Sequence, residues 1–448
     1  MSTVKKQVTL PIVEDKHVRQ LHQLSYEETN QCIQCGYCLP ACPTYKSMGK
    51  ESASPRGRIN LVKMAAEGKI DIKEHLTEPI DLCLGCRACE VACPVNVPYG
   101  HILESAKEVI ATKQIEEKSS KQVQLKSLVL TKIFPYPARM RTIGNLTWVY
   151  QTLGVSKFVQ KTKMLEKISP AMGQLEKALP QLEGPLKRTK FGQVIQAKGE
   201  TKGKVAFFTG CLMDGLMYKI NRQTIELLAL AGCEVTVVDK QQCCGALHTH
   251  QGMKDQAKEL AKSNITAFEN SGADFYVNNA GGCGAMLHEY DQLLADEPEW
   301  YERSKAFVTK SKDISELLVH YGPLPFKKEW EGIITYQDSC HLRNVQGIID
   351  PPRELLAQIP GATYVELKSS DRCCASGGIY NLLHFDESME ILDEKMKDVQ
   401  RSQAKTIVTT NPGCLLQMNV GVERIGEAAS IRSLHLVEVL AEACGIAD

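Results

Sequence analysis

Eight of the chain's 18 cysteines fall into two clusters that share one spacing, CxxCxxCxxxCP. The clusters are Cys32, Cys35, Cys38 and Cys42, followed by Pro43, and Cys83, Cys86, Cys89 and Cys93, followed by Pro94. Matching cysteines are always 51 residues apart, so the second cluster repeats the first in register. Thiolates at this density predict a metal or iron-sulfur centre. Gly36 and Gly85 can bend each loop around it without steric penalty.

Cysteines grouped in this way could serve iron-sulfur clusters, zinc or disulfides. A structural zinc site needs only four thiolates, usually as two separated CxxC pairs, and would leave the third cysteine of each triplet unused. Disulfides need an oxidising compartment. Because the full spacing occurs twice with both prolines, two iron-sulfur clusters are the favoured interpretation.

The spacing resembles that of bacterial two-cluster ferredoxins, in which the fourth cysteine of each motif ligates the other cluster. The resemblance implies two 4Fe-4S clusters. It assigns Cys32, Cys35, Cys38 and Cys93 to the first cluster and Cys83, Cys86, Cys89 and Cys42 to the second.

The segment between the motifs, 43–82, predicts helix rather than the short strands of a compact ferredoxin. Its apolar residues recur at helical spacing: Ile59, Leu61, Val62, Met64, Ala65 and Ala66. The module therefore resembles the α-helical ferredoxin module of succinate and fumarate dehydrogenase iron-sulfur subunits. The stretch 54–58, SPRGR, is also similar to that family, and Pro55 is predicted to open a helix.

A second repeat begins near residue 204 and carries eight further cysteines. They are Cys211, Cys243, Cys244 and Cys283 in the first copy and Cys340, Cys373, Cys374 and Cys414 in the second. Matching positions lie 129 to 131 residues apart, which indicates a duplication.

Each copy of this repeat alternates strand-like runs with helices. The predicted strands cover 204–211, 234–239 and 275–278 in the first copy and 333–340, 363–367 and 406–410 in the second. Such alternation predicts two α/β lobes with parallel sheets. The cysteines follow the strands, at the carboxyl ends where such folds bind ligands.

The paired cysteines resemble those of the cysteine-rich CCG domain family. Its members occur in heterodisulfide reductase subunits and in iron-sulfur subunits of glycolate, lactate and anaerobic glycerol-3-phosphate oxidising systems. Members that hold unusual clusters often end each motif in CxxC, whereas this chain has Met286 and Gln417 there, and its second copy reads CCASGG at 373–378. An additional metal or iron-sulfur site among the eight repeat cysteines is therefore left open, with equal ligand numbers in both copies. Cys233 and Cys444 lie outside both patterns and are predicted to be core residues.

Histidines also lie near these cysteines in the sequence. They are His248, His250, His288 and His341. Neutral imidazole binds iron and zinc and can carry protons. For each histidine taken alone, an ordinary loop residue is the favoured interpretation.

The stretch from Lys113 to Lys204 is basic, with 18 Lys and Arg against six Glu. Its apolar residues suggest amphipathic helix broken near Gly144 and Gly154. These residues are Ile143, Leu146, Trp148, Val149, Leu153, Phe158 and Val159. One interpretation is a surface for anionic lipid or an acidic partner. The favoured one is a connector whose apolar side packs on its own domains.

Composition sets wider limits on function. Lys plus Arg equals Asp plus Glu at 53 each, which gives no overall preference for nucleic acid. The N-terminal stretch 1–20 has no apolar core of the kind that a secretory signal needs, so we expect a cytoplasmic protein with reduced cysteines. No run is long enough to span a membrane, and we expect any contact at its inner face to be peripheral.

The fold class predicted is therefore multidomain, with an α-helical two-cluster ferredoxin domain, a helical connector and two α/β CCG lobes. The predicted segments are an N-terminal tail at 1–24, the ferredoxin domain at 25–112, the basic connector at 113–203, and the lobes at 204–328 and 329–448.

The motifs of a substrate-handling enzyme are missing from the sequence. It has no GxGxxG after a strand, no GxxxxGK[ST] and no GxSxG elbow. The domain order is similar to that of the glycolate oxidase (glycolate dehydrogenase) iron-sulfur subunit family. That resemblance implies an electron-transfer subunit without catalytic residues of its own, flavoprotein partners that oxidise glycolate to glyoxylate, and a quinone or other acceptor.

Several alternatives stay open. Lactate and anaerobic glycerol-3-phosphate dehydrogenase subunits share the layout, and a heterodisulfide reductase-like subunit would use the CCG cysteines in catalysis. A zinc-stabilised scaffold that binds other proteins would be colourless.

Overall fold

The computed structural model describes residues 23–116, 121–428 and 430–446. Of the predicted tail, 1–24, only the last two residues lie within these ranges. Leu24 is fully buried in the core of the ferredoxin module, so the module begins slightly earlier than predicted.

The described part of the ferredoxin module is helical and contains no strand. Its helices are Tyr26–Thr29, Pro43–Met48, Pro55–Ala66, Thr77–Asp81, Ala88–Val91 and Tyr99–Glu116, with a 3₁₀ turn at Glu51–Ala53 and a π-helical turn at Ile72–Leu76. The predicted helix start at Pro55 is confirmed, and the Ser54 hydroxyl caps it by accepting a hydrogen bond from the Gly57 amide at 3.0 Å. This helix buries Val62 and Ala65 against Leu24 and the long C-terminal helix of the module.

The connector is also helical. Its helices are Lys121–Lys132, Pro137–Thr152, Val155–Thr162, Met164–Ile168 and Pro170–Ala178, followed by a 3₁₀ turn at Pro185–Lys187. The break predicted near Gly154 is confirmed, since Gly154 takes a φ of 74° between two helices. The break predicted near Gly144 is wrong, because the helix runs through this residue. Gly144 instead allows close packing against the helix Cys211–Leu216.

Two separate sheets follow. In the first lobe the strands are β1 Val194–Ile195, β2 Gly203–Phe207, β3 Cys233–Val237, β4 Phe275–Asn278 and β5 Ser311–Asp313, in the order β1-β3-β2-β4-β5. In the second lobe they are β6 Ile333–Tyr336, β7 Thr363–Tyr364, β8 Thr406–Thr409 and β9 Arg432–His435, in the order β7-β6-β8-β9. Apart from β1, which is antiparallel, all neighbouring strands are parallel.

Helices connect these strands in both lobes. In the first lobe they are Cys211–Leu216, Tyr218–Leu230, Ala246–Thr249, Lys254–Glu269, Gly281–His288, Tyr290–Leu293, Pro298–Lys310 and Ile314–Tyr321. In the second they are Cys340–Asn344, Asp350–Ala357, Tyr380–Leu383, Phe385–Ser402, Pro412–Arg424 and Leu436–Ala443. Helices that pack on parallel sheets explain why the central strands are apolar along their length, as in β2, where residues 205–207 are all buried.

The internal duplication extends beyond the cysteines. In each lobe a short polar strand, β5 or β9, leads into a helix that starts with a capping box, with Asp313 and Glu316 in the first lobe and His435 and Glu438 in the second. The helix Leu436–Ala443 of the second lobe packs on Tyr218–Leu230 of the first, and one apolar core includes residues of both lobes. The lobes therefore stabilise each other.

The close packing at Gly144 gives a test of how the connector is attached. A β-carbon at this position would stand 2.0 Å from the carbonyl oxygen of Gly215. Overpacking of this kind costs about 1–3 kcal/mol. It should outweigh the roughly 1 kcal/mol by which alanine favours helix over glycine. Gly144→Ala should therefore lower the free energy of unfolding. Chemical denaturation measures the change.

Gly184→Ala is the matched control. This glycine has an ordinary φ of −63° and no neighbouring atom within 4 Å of an added β-carbon. Its effect should stay within about 0.5 kcal/mol. Equal stabilities of the two variants would contradict the packing described here.

Candidate functional site

Five cysteines line one cavity of the ferredoxin module. Three of them, Cys32, Cys35 and Cys38, belong to the first motif, and the other two, Cys89 and Cys93, belong to the second. Cys89 is buried, Cys35 is exposed and the other three are half-buried. The chain thus places soft donors of the second motif beside the three of the first, and four such donors are what a four-iron cluster requires.

Cys42 lies near cysteines of both motifs. It is buried, and its charge acts on the thiols of Cys86 and Cys89 in the second motif and of Cys38 in the first. Burial first, and then the neighbouring sulfurs, raise the pKa of Cys86 and of Cys89 well above the ordinary value. Closely spaced thiolates of this kind are stabilised when positive charge, such as iron, is bound between them.

The two cysteine loops share an unusual backbone. Gln34 and Gly36 in the first loop have φ values of 58° and 86°, and the matching Gly85 and Arg87 in the second have 64° and 57°. Each loop therefore needs two left-handed residues, and each supplies one glycine, at different positions. Gly36 and Gly85 are evident from their residue type, whereas Gln34 and Arg87 carry no sequence signal for a left-handed backbone.

Hydrogen-bond donors surround the sulfurs of both motifs. Cys32 accepts from the Gln34 amide at 3.4 Å, Cys93 from the Val97 backbone at 3.4 Å, and Cys83 from the Gly85 backbone at 3.5 Å and the Tyr99 hydroxyl at 3.4 Å. Hydrogen bonds to sulfur stabilise thiolate and help to set cluster potentials. The residues present fit an iron-sulfur group at each site.

In the first lobe the four repeat cysteines lie together, and we refer to them as the first row. The sulfur of Cys211 lies 3.5 Å from that of Cys243, and the charges of Cys283 and Cys243 act on the thiol of Cys244. Hydrogen bonds from its neighbours lower the pKa of Cys243 well below the ordinary thiol value.

The second lobe repeats this row with Cys340, Cys373, Cys374 and Cys414. Hydrogen bonds from Cys373 and then His341 lower the pKa of Cys340 to about 5 despite its burial. Among the residues that the structure describes, no group of three or more Cys, His, Asp or Glu side chains is arranged to hold a single metal ion.

The second row borders a cysteine of the ferredoxin module. Cys86 and Cys340 interact electrostatically, and the Asn344 side chain donates a hydrogen bond to the Cys86 carbonyl at 2.8 Å. Leu84 packs in one small apolar cluster with Cys373 and its neighbours. The first lobe meets the ferredoxin module through polar residues instead: Arg87 pairs with Glu289, and His101 contacts Gln292 at 2.8 Å.

The four histidines differ in their surroundings. His248 is fully buried, with one ring nitrogen 2.9 Å from the Leu130 carbonyl oxygen, and it anchors the connector to the first lobe. His341 contacts Cys340 at 3.4 Å, and its ring lies 5.4 Å from that of His250. Burial lowers the pKa of His288. An ordinary loop residue is thus the wrong interpretation for His248 and His341.

Met286 and Gln417, which stand where a CxxC ending would place its last cysteine, make other contacts. The Met286 sulfur accepts a hydrogen bond from Thr249 at 3.6 Å. The Gln417 amide oxygen accepts a bond from Asn381, and its nitrogen donates one to Ser388, both at 3.0 Å. Cys233 and Cys444 are buried in the shared apolar core, as predicted.

The connector exposes much of its apolar surface. Leu146, Leu153 and Phe158 are 65%, 73% and 62% exposed, and Ile143 and Val149 are also exposed. Of the apolar residues named above, Val159 is buried. We expected the apolar side of the connector to pack on the chain's own domains, and this is wrong for most of these apolar residues. The helix Pro137–Thr152 turns Met140 and Gly144 toward the first lobe instead. Among the described helices, none combines the length and apolarity needed to cross a membrane.

Two buried groups near the second motif were missed as site residues. Arg58 is 1% exposed and lies beside Cys42 and Cys83, and Tyr99 contacts Cys83. The SPRGR stretch was noticed only as a family similarity, because a charged residue gives no signal of burial in sequence.

Comparison with known families gives three matches along the chain. Residues 28–97 match a 4Fe-4S dicluster domain, residues 121–179 match the linker region of the glycolate oxidase iron-sulfur subunit, and residues 205–288 and 334–419 each match a cysteine-rich CCG domain.

Curated relatives match over most of the chain. A probable glycolate oxidase iron-sulfur subunit of Bacillus subtilis is 43% identical over 96% of this chain and 98% of the relative. The glycolate oxidase iron-sulfur subunit of Escherichia coli is 27% identical over 86% of this chain and 88% of the relative. Lactate utilization protein A of Halalkalibacterium halodurans is 34% identical over 53% of this chain and 96% of the relative.

Proposed function

Because this chain belongs to the glycolate oxidase iron-sulfur subunit family, we propose that it accepts electrons from a flavoprotein partner that oxidises glycolate to glyoxylate. The chain is an electron-transfer subunit of an oxidoreductase complex, with an iron-sulfur module and two CCG domains. The acceptor in this proposal is a quinone or another small oxidant. The family membership of the whole chain carries the proposal.

The ligand assignment follows the crossed pattern. Cys32, Cys35, Cys38 and Cys93 would hold one 4Fe-4S cluster, and Cys83, Cys86, Cys89 and Cys42 the other. Support comes from the cavity that Cys93 shares with the first three, and from the influence of Cys42 on the thiols of the second motif. When bound, such clusters take up and release single electrons.

The surroundings suggest an order for the two sites. The first site includes the exposed Cys35 and is the natural one to face a partner, whereas the second borders the row of Cys340 in the second lobe. The second row is thus the better placed of the two for any further cluster, although both rows supply four thiols. The segments 25–112, 113–203, 204–328 and 329–448 are the units that we propose for these roles.

The connector provides a candidate membrane surface. Leu146, Val149 and Leu153 are spaced i, i+3 and i+7, so they share one face, and all three are exposed. The lysines at 157, 161 and 167 lie in the following helices, and Lys163 lies between these two helices. An exposed apolar face with adjacent lysines has the chemistry that binds an anionic lipid surface.

The function itself is tested with the complex. The chain co-purified with the flavoprotein encoded beside it should reduce an artificial acceptor when glycolate is added, whereas the chain alone should show no flavin absorbance and no glycolate turnover. Cys35→Ala should abolish acceptor reduction. Cys233→Ala, a substitution in the apolar core, is the control and should leave acceptor reduction in place. Faster turnover of lactate would favour the lactate alternative, and glycolate oxidation by the chain alone would refute the proposed division of labour.

The crossed assignment predicts which cysteine variants resemble each other. Anaerobically purified wild-type protein should contain about eight iron atoms per chain from two 4Fe-4S clusters, and more if a row in the lobes also binds iron. Cys42→Ala should alter the same paramagnetic resonance signal and midpoint potential as Cys86→Ala, because each leaves three thiolates on that cluster. Cys93→Ala should match Cys35→Ala.

A contrary outcome is easily recognised. If Cys42→Ala matched Cys35→Ala, each motif would close on its own cluster. Stoichiometric zinc without iron would exclude clusters altogether.

The membrane surface is tested with vesicles. Binding to vesicles rich in phosphatidylglycerol should weaken as salt is raised, since salt screens the lysines. Replacing Leu146, Leu153 and Phe158 together by Gln should reduce binding several-fold by removing buried apolar area. Leu383→Gln, an exposed leucine of the second lobe, is the matched control. Unchanged binding by the triple variant would show that this face does not insert.

A further inference from the structure

Arg58 is a buried cation without a carboxylate partner. Its side chain is 1% exposed, and its guanidinium donates hydrogen bonds to the Pro79 carbonyl at 2.6 Å and to the Thr44 hydroxyl at 3.2 Å from each terminal nitrogen. Guanidinium has five N–H donors, so two remain beyond these three bonds. The groups that bear on its charge are Cys83, Tyr99 and Cys42.

A buried charge is costly unless an opposite charge lies close to it. Neutral thiols do not supply that charge, whereas the thiolates of a bound cluster do. The position of Arg58 is therefore understandable only if the group held by the second motif is anionic. Thr44 connects Arg58 to Cys42. Its hydroxyl accepts hydrogen bonds from Arg58 and lies 3.2 Å from the Cys42 sulfur.

Other groups add to the positive potential at this site. The Tyr99 hydroxyl donates to the Cys83 sulfur at 3.4 Å. Lys107 is half-buried and interacts with Cys83, but Asp81 and Glu104 also face it. Arg58 makes no hydrogen bond to a carboxylate among the described residues, and its three bonds go to neutral oxygens.

The first site differs in this respect. The cation that lines its cavity is Arg56, two residues before Arg58 on the same helix. Arg56 is partly exposed and paired with Glu51 at 2.7 Å. Solvent and the carboxylate therefore reduce its effect on the first site. The SPRGR stretch places Arg56 near the first site and Arg58 near the second. Of these two, Arg58 is buried and has no carboxylate bonded to it.

We propose that Arg58 raises the reduction potential of the cluster held by Cys42, Cys83, Cys86 and Cys89. Reduction adds negative charge, and a nearby buried cation stabilises the more negative state. The inference rests on the proposed ligand assignment.

The test is a redox titration followed by paramagnetic resonance on the full-length protein. Arg58→Gln should move the midpoint potential of the buried cluster to a more negative value, with the potential of the exposed cluster unchanged. Arg56→Gln is the matched control and should leave the buried cluster at its wild-type potential. Wild-type iron content and two distinct signals test the ligand assignment separately, so its failure is not confused with failure of this inference.

Two further variants cover a failure of Arg58→Gln to assemble the cluster. Arg58→Lys keeps the charge and should restore both the iron content and a potential close to wild type. Tyr99→Phe removes one donor from Cys83 and should cause a smaller negative shift. An unchanged potential in Arg58→Gln, or a potential in Arg58→Lys no different from that in Arg58→Gln, would overturn the proposal. If Arg58→Gln does not assemble the cluster, two results together would overturn the proposal. These are a wild-type potential in Tyr99→Phe and a strongly negative potential in Arg58→Lys.

Discussion

The proposed exchange of one cysteine between the two motifs is the constraint on which the ferredoxin module would depend. Cys93 lines the cavity of the first motif, and Cys42 is buried and acts on the thiols of the second. In this assignment each motif must fold against the other to complete its donor set. The 40 residues between the motifs accordingly form a helical core, centred on Pro55–Ala66, rather than a loop. Such a core holds both motifs at a fixed distance, and the helix that provides it also carries Arg58 to the buried site.

Burial of so much sulfur creates an electrostatic requirement as well as a geometric one. The pKa of Cys86 and of Cys89 is raised well above the usual thiol range, so the apoprotein would hold these groups as neutral thiols. Binding a cluster reverses this, and the charge that then appears needs compensation in a low-dielectric interior. Arg58 and the Tyr99 hydroxyl are already in place for that state. The protein is therefore arranged for the charged, loaded form.

Features that depend on local pattern could be predicted from the sequence. The cysteine spacing, the start of the helix at Pro55 and the strand at Phe275–Asn278 all follow from residue type and period. Strands β5 and β9 were missed because they are short and polar, Ser311–Asp313 and Arg432–His435, and are held by pairing with a neighbour rather than by their own propensity. The burial of Arg58 and the contact of Asn344 with the Cys86 carbonyl depend on how distant segments dock, which no local window contains.

The two lobes show how a duplication can become asymmetric without losing its internal chemistry. Both keep a row of four cysteines at the carboxyl ends of equivalent strands, and both keep the strand and capped helix that follow. What differs is the neighbour of each row. The first lobe presents Glu289 and Gln292 to the ferredoxin module, whereas the second presents Cys340 and Asn344. Electron transfer requires proximity, so in the proposed assignment an electron leaving the second motif would meet the second row first, and the two copies would then differ in use even though they are equivalent in donor number.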